Sequence, residues 1–436
     1  MADLNFPFVD PPRQDQFQSC IKCGLCLDSC PTFQETGREL ESPRGRVQLI
    51  AAVARGVVPL QAPKVAHTLF SCLDCRACEV ACPSGVPIGS LIERGRAQVV
   101  GWQEAHPDLH GQRSVSKTTR WAVTHLLPNQ RRLRRLGWVV ARAQRLGLLS
   151  GPGRRLLPKP MRAMALSLPR LTGKATLPPE RTTGSSPDPK KKVGVFLGCV
   201  MDVVFGDANQ ATIRVLDKNG LGPVVPQGQN CCGALAIHAG ERETARKMAR
   251  RNIDAFLAGD LDYIATNAGG CGAALMEYGE WLADDPQYRE KAEIFSKKVK
   301  DVAQILDTEG WQVPRSATAE VVTYQTSCHL ANVMKAGAAP ERILQSIPGV
   351  QLKSMADSAR CCGSAGIYNL THPQMAEALL RRKMEDVPDG VDTIVTGNPG
   401  CWLQLLHGVQ AYRPGVQVRH LVQVLDDAYQ RETSSP

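Results

Sequence analysis

No uninterrupted apolar run in the 436 residues reaches eighteen, so no transmembrane helix is expected. The opening stretch MADLNFPFVDPPRQDQFQ lacks both the basic and the apolar segment of a secretory signal, so none is expected there. No GxGxxG follows a strand-like run, which removes the dinucleotide-binding fingerprint. Zinc-finger, helix-turn-helix and RNA-recognition signatures are missing as well. A formal net charge of +10 therefore does not read as a nucleic-acid signal, and no nucleic-acid partner is expected. Acidic residues are scarce between 101 and 192, where only Glu104, Asp108, Glu180 and Asp188 stand against Arg131, Arg132, Arg134, Arg135, Arg142, Arg145, Arg154, Arg155 and Lys190 to Lys192. Most of the net charge sits in that segment.

What the chain has in excess is cysteine, sixteen in all. Thiols this dense in a chain made without export are expected to stay reduced, in the cytoplasm, and to hold metal. Eight of them form two runs, CIKCGLCLDSCP from Cys20 and CLDCRACEVACP from Cys72. The spacing CxxCxxCxxxCP is that of two-cluster 4Fe–4S ferredoxins, in which the fourth cysteine of each run ligates the other cluster. Cys20, Cys23, Cys26 and Cys82 are accordingly assigned to one cluster, and Cys72, Cys75, Cys78 and Cys30 to the second. Zinc ribbons use CxxC knuckles without this third and fourth thiol, and disulfides do not suit a reduced compartment. Gly24 and Gly85 are expected to let the backbone approach the clusters, and Pro31 and Pro83 to end the ligand runs.

Between the runs, Val47, Ile50, Ala51 and Ala54 recur at helical spacing behind Ser42-Pro43, a cap followed by proline in the first turn. Arg44 and Arg46 on that helix could face a cluster or a partner, or be solvated or ion-paired. A second helix is expected over SGVPIGSLIERGRAQVV, closing the domain near residue 100. Residues before about 18 read as an irregular arm. In the basic segment, Trp121, Leu126, Leu133, Leu136, Trp138, Val139 and Leu146 mingle with arginines as in a basic amphipathic helix pair. Such a pair docks on an acidic partner, lies on an anionic membrane, or simply braces a neighbouring domain. LPPERTTGSSPDPKKK reads as a linker.

From residue 193 three landmarks occur twice, in the same order and at an almost constant offset. Cys199 ends VGVFLGC and Cys328 ends VVTYQTSC. Cys231 and Cys232 lie in QNCCGALAIHAG, Cys361 and Cys362 in ARCCGSAGIYNL. Cys271 closes DYIATNAGGC and Cys401 closes DTIVTGNPGC. A duplicated unit is the simplest account. Each alternates short apolar, β-rich runs with helical patterns, which predicts parallel βα layering with Cys199, Cys271, Cys328 and Cys401 just past strand ends. Ligands gather at that edge of an open α/β sheet, so the four thiols of each unit can converge there. Gly233 and Gly363 suit the sharp turn that aims adjacent thiols inward. Thiolates serve a further iron–sulfur cluster or zinc equally, and spacing does not separate them. Inert packing is the plain alternative, and a disulfide between adjacent cysteines would be strained. His238, His329 and His372 lie near these landmarks as ligands or as ordinary core and surface histidines.

The expected architecture is thus multidomain: an α-helical two-cluster ferredoxin-like domain over 1–100, a basic helical segment and linker over 101–192, and two α/β cysteine-rich domains over 193–312 and 313–436. In this order the motifs resemble the cysteine-rich-domain iron–sulfur proteins that include heterodisulfide reductase subunits. The stretches ESPRGR, GCVMD, NCCGA, GCGAALMEYGE, CCGSAGIYNLTHPQMAEALLRRKM and VTGNPGC resemble, within that group, the glycolate oxidase iron–sulfur subunits over nearly the whole chain. The resemblance implies an oxidoreductase subunit that passes electrons from a flavoprotein (FAD) partner oxidising glycolate to glyoxylate. It further implies a membrane-associated complex on the inner face of the cell membrane with a quinone as acceptor. The same role with a lactate or glycerol 3-phosphate flavoprotein, or a redox sensor or scaffold, are the alternatives. Heterodisulfide reductase-type units end in CxxC, whereas Ala274 and Gln404 stand at the final position here, leaving four thiols per unit. That departure removes the ligand set of a five-thiol, non-cubane cluster.

Overall fold

A computed structural model describes residues 5–108, 114–149, 169, 171, 188–315 and 319–434. Arg154, Arg155, Glu180 and most of the expected linker lie outside the described residues. Two compact units are present, one formed by Met1–His125, Gly233–Ala245 and Cys361–Leu379, the other by Leu126–Cys232, Arg246–Arg360 and Leu380–Pro436.

The first unit is helical. Ser42 caps the helix Pro43–Ala54, its Oγ accepting from Gly45 N at 3.0 Å, with Pro43 in the first turn where no N–H is needed. A Cβ on Gly45 would lie 1.9 Å from the Glu39 carbonyl oxygen, so only glycine lets the preceding turn pack there. Val47, Ile50, Ala51 and Val53 of this helix meet Val65 and Leu69 of the helix Pro63–Phe70 and Leu91, Ile92 and Val99 of the helix Ile88–Ala105. Ile50, Leu91 and Ile92 are at most 2% exposed, and burial of each contributes about 2 kcal/mol. The N-terminal arm is less irregular than its sequence suggests. Gln14–Gln18 is helical, and the Gln98 amide brackets Phe8, accepting from its N–H at 3.0 Å and donating to its carbonyl at 2.9 Å.

In the second unit each cysteine-rich repeat builds a four-stranded parallel sheet. β1 (Lys192–Val195), β2 (Gly222–Val224), β3 (Tyr263–Thr266) and β4 (Val299–Asp301) run in the order β2-β1-β3-β4. β5 (Glu320–Gln325), β6 (Val350–Leu352), β7 (Thr393–Thr396) and β8 (Gln417–His420) repeat it as β6-β5-β7-β8. Parallel neighbours need crossover connections, and the helices Gly206–Lys218, Arg242–Leu257, Ala339–Ser346 and Pro373–Glu385 alternate with the strands as the helical patterns of the sequence predict. Phe256 and Phe295 stand edge to face at 5.9 Å, and Tyr278 stacks on Phe295 at 5.2 Å, in the core of the first sheet.

The basic segment forms the helix Gln130–Arg145, capped by Asn129, whose side chain accepts from Arg132 N. Its buried face is small, with Gly137 against Val203 and Ala141 inward, while Leu136, Trp138 and Val139 are about half exposed.

Candidate metal centres

The two cysteine runs fold into loops of matching shape. Lys22 and Gly24 in the first, and Asp74 and Arg76 in the second, all have positive φ, at equivalent places between the thiols. Gly24 takes φ +87° without strain, and a Cβ there would also crowd Arg44 Nη1 at 2.8 Å. Gly85 has open space around its Cβ position, so positive φ rather than close approach explains it. At Arg76 a non-glycine residue is held in the left-handed region by ion pairs to Asp74 at 2.7 Å, Glu79 at 3.1 Å and Glu93 at 3.2 Å.

Each loop borders a cavity. One is lined by Cys20, Cys23, Cys26 and Cys82 together with Val47, Val86 and Ile88. The other is lined by Cys30, Cys72, Cys75 and Cys78 with Arg46, Arg76 and Ile88. Cys30 and Cys82 therefore each face the cavity of the opposite run. Backbone N–H groups aim at the sulfurs, Asp74 N at Cys72 Sγ (3.4 Å) and Val86 N at Cys82 Sγ (3.5 Å). Burial pushes the thiols of Cys72 and Cys78 up, and nearby thiolates push Cys78 further. A cationic metal group is what stabilises four thiolates in such surroundings.

Arg46 lies deeper than its charge suggests, at 1% exposed. It donates to Thr68 O (3.0 Å), Thr32 Oγ1 (3.0 Å), Ser71 Oγ (3.1 Å) and Cys30 Sγ (3.7 Å). Arg44 instead pairs with Glu39 at 2.7 Å on the surface. Beside the second loop, His238 Nδ1 lies 3.2 Å from Asp74 Oδ2 and 3.8 Å from Glu93 Oε1. Arg242 and Arg94 both pair with Asp10. Burial pushes the Asp74 carboxyl up, but Arg76 and His238 outweigh it and hold the group well below the usual carboxylate range. His238 thus sits in a charge network, not among the thiols. His372 stacks on Tyr368 at 4.5 Å, and Tyr368 Oη donates to Ser71 O at 3.1 Å.

In the first cysteine-rich repeat, Cys199 begins a helix after β1, Cys231 and Cys232 follow β2, and Cys271 lies in the first turn of the helix Gly269–Met276 after β3. The order β2-β1-β3 reverses direction between β1 and β3, so these thiols stand at the switch point where open α/β sheets hold ligands. The side chains are in mutual reach, Cys199 with Cys231, Cys231 with Cys232 and Cys232 with Cys271. A hydrogen bond donated to Cys231 and burial push the Cys199 thiol well up. Two residues missed by the sequence reading steady the loop. Asn252 Nδ2 donates to Cys231 O (3.1 Å) and to Tyr278 Oη (2.9 Å), its Oδ1 accepts from Asn230 N (2.8 Å), and Tyr278 Oη donates to Cys232 O (2.8 Å). The signal was a buried asparagine on the otherwise apolar face of RNIDAF. In the second repeat Cys328 opens the helix Cys328–Asn332 and Cys401 lies in the first turn of Pro399–Tyr412, both past strand ends as expected. Those two belong to the second unit and Cys361 and Cys362 to the first. His329 lies beside Gly270 in the second unit.

A helical pair of thiol-lined cavities followed by two four-stranded sheets with cysteines at their switch points defines a dicluster iron–sulfur protein with repeated cysteine-rich domains. Comparison agrees: a 4Fe-4S dicluster domain model matches residues 16–86, and a cysteine-rich domain model matches 193–276 and 322–406. Two 4Fe–4S clusters are the cofactors of the first of these. The chain is 39% identical to the probable glycolate oxidase iron-sulfur subunit of Bacillus subtilis, over 100% of this chain and 99% of that one. It is 33% identical to the glycolate oxidase iron-sulfur subunit of Escherichia coli, over 95% of each. Lactate utilization protein A of Shouchella clausii is 29% identical over 54% of this chain. The chain belongs to the glycolate oxidase iron–sulfur subunit family.

Proposed function

We propose that this chain passes electrons, one at a time, from a flavoprotein (FAD) subunit that oxidises glycolate to glyoxylate towards a membrane quinone. The observation that carries the reading is the pair of four-thiol cavities, each completed by a cysteine from the other run. In this reading Cys20, Cys23, Cys26 and Cys82 hold one cluster, and Cys72, Cys75, Cys78 and Cys30 the other. When bound, 4Fe–4S clusters store and release single electrons. The residues of the chain set the conditions: Val47, Val86 and Ile88 exclude water from the cavities, while exposed Cys23 leaves one edge of the first open to a partner.

Cys199, Cys231, Cys232 and Cys271 hold a further metal. Four thiolates at one sheet edge suit a tetrahedral zinc and a four-ligand cluster alike. In the second repeat Cys328 and Cys401 occupy the positions of Cys199 and Cys271, and Cys361 and Cys362 recur as its Cys-Cys-Gly pair in sequence. No helix among the described residues is long and apolar enough to cross a membrane. Contact with the cytoplasmic face then falls to exposed Arg131, Arg132 and Arg135.

The test is cluster reduction followed by EPR in the complex assembled with its flavoprotein partner. Glycolate should reduce both clusters within turnover time. Reduction by lactate or glycerol 3-phosphate but not glycolate would transfer the role to another flavoprotein. No reduction by any of the three would leave a sensor or scaffold.

A further inference from the structure

Two of the most deeply buried charges in the first unit are arginines that form no ion pair with a carboxylate among the described residues. Arg46 is 1% and Arg96 4% exposed. Their hydrogen bonds go to neutral groups and one thiol: Arg46 as described, and Arg96 to the carbonyls of Leu69, Cys72 and His238. Neither makes an ion pair with a carboxylate among the described residues. Glu41, buried nearby with its carbonyl accepting from Thr32, faces Arg38 and His67 instead. The acids beside the second loop, Asp74, Glu79, Glu93 and Asp10, pair with Arg76, Arg94, Arg242 and His238, and the charge of Arg96 also acts on Asp74, which leaves Arg46 as the cation farthest from any carboxylate's influence.

An unpaired buried guanidinium is costly, so something must offset it. What the geometry offers is the thiol cavity itself: Arg46 lines it beside Cys72, Cys75 and Cys78 and reaches Cys30 Sγ at 3.7 Å. At the other cavity the equivalent cation, Arg44, is cancelled by Glu39 and is one-third exposed. Lys22 lines that cavity too but is exposed, so the two sites differ in buried positive charge, although their ligand sets match.

We propose that Arg46, seconded by Arg96, is the resident counter-charge of the Cys30, Cys72, Cys75 and Cys78 site and raises its reduction potential. The inference rests on a cluster occupying that site. Each electron added there brings one negative charge into a buried pocket. A guanidinium fixed within hydrogen-bond reach of Cys30 Sγ stabilises that charge without reorganising, as net charge and hydrogen bonds to sulfur do in iron–sulfur proteins generally. Arg46 is a positioning residue in this sense, since it acts through Cys30 and Cys72.

The experiment is an EPR-monitored redox titration of the full chain with clusters intact, comparing wild type, R46Q, R46K and R44Q. R46Q keeps amide donors but loses the charge. It should shift one of the two cluster signals towards lower potential by at least a tenfold change in the reduced-to-oxidised ratio at fixed ambient potential, which is 59 mV for one electron. R46K should shift that signal by less than half as much, and R44Q should leave it in place. Unshifted signals in R46Q, or equal shifts in R46Q and R46K, overturn the assignment. If R46Q fails to retain iron, R96Q gives the second reading, because it removes the seconding charge and touches neither Cys30 nor Thr32. A lowered potential of the same signal in R96Q supports the proposal, and an unmoved one refutes it. Iron and sulfide counts that remain at the two-cluster level while the potential moves separate this proposal from a failure of the cluster assignment itself.

Discussion

Arg134 grips Asp202 with two parallel hydrogen bonds, Nε to Oδ2 at 2.6 Å and Nη2 to Oδ1 at 3.2 Å, and the side chain of Asp202 is fully buried. Gln130 adds a third donor at 3.1 Å. One arginine of the basic run RRLRR is therefore structural, while Arg131, Arg132 and Arg135 face solvent. R134Q should destabilise the protein by about 3 kcal/mol, because it leaves a buried carboxylate without its cation. Thermal melting of the purified variant checks this.

Reversal of the exposed three has a different signature. R131E/R132E/R135E should keep the wild-type melting temperature and lose binding to anionic vesicles or to the assembled complex, with the wild-type binding itself weakening as salt rises. Vesicle flotation and size-exclusion chromatography read the two arms. Unchanged association in both would make the helix Gln130–Arg145 a plain brace.

Crossed ligation predicts a specific loss in each of two serine variants. C82S should abolish the cluster of the Cys20, Cys23 and Cys26 loop, and C30S that of the Cys72, Cys75 and Cys78 loop. Iron should fall in each from about eight to about four per chain. If C82S instead removes the EPR signal altered by C72S, each run ligates its own cluster.

Asn252 satisfies two carbonyl- or hydroxyl-bearing acceptors and one N–H around Cys231 and Cys232. N252A should cost about 3 kcal/mol through the groups left unsatisfied and lower metal retention at the first repeat by roughly tenfold or more. Metal content after dialysis against a chelator, compared with Y278F, measures the effect. Full retention in both variants would argue that the loop holds itself.

Two buried groups give stability opposite pH slopes. Burial lowers His420 to about 4, with its Nε2 donating to Asn267 O at 2.7 Å and its Nδ1 accepting from Val422 N. The unfolded chain takes up that proton near 6.5, so stability is lost as pH falls from about 6.5 to about 4, by up to roughly 3 kcal/mol. Burial raises Asp301 to about 7, although its side chain accepts from Ala303 N at 2.9 Å. The folded chain therefore keeps that proton longer, and stability falls as pH rises from about 4 to about 7. D301N preserves the helix cap and should increase stability at neutral pH while steepening the acid loss. H420N should flatten that loss. Melting temperatures between pH 4 and 8 in the two variants test both signs.

Local spacing carried much of this protein. The CxxCxxCxxxCP runs determine loops whose thiols must point inward, Ser42-Pro43 determines a helix start, and the repeated landmarks determine two βα layers, because each depends on neighbours in the chain. What no spacing could decide is how charges sort themselves in three dimensions. Arg44 and Arg46 are two residues apart, yet one pairs with Glu39 in solvent and the other is sealed against Cys30. Likewise Arg134 alone of its run finds Asp202, and Asn252 and Tyr278 reach the Cys-Cys-Gly loop from distant helices. These outcomes follow from which side of a helix is buried and which partner lies across the gap. Only packing decides that, since a charged side chain can enter the interior only where tertiary structure brings it a partner.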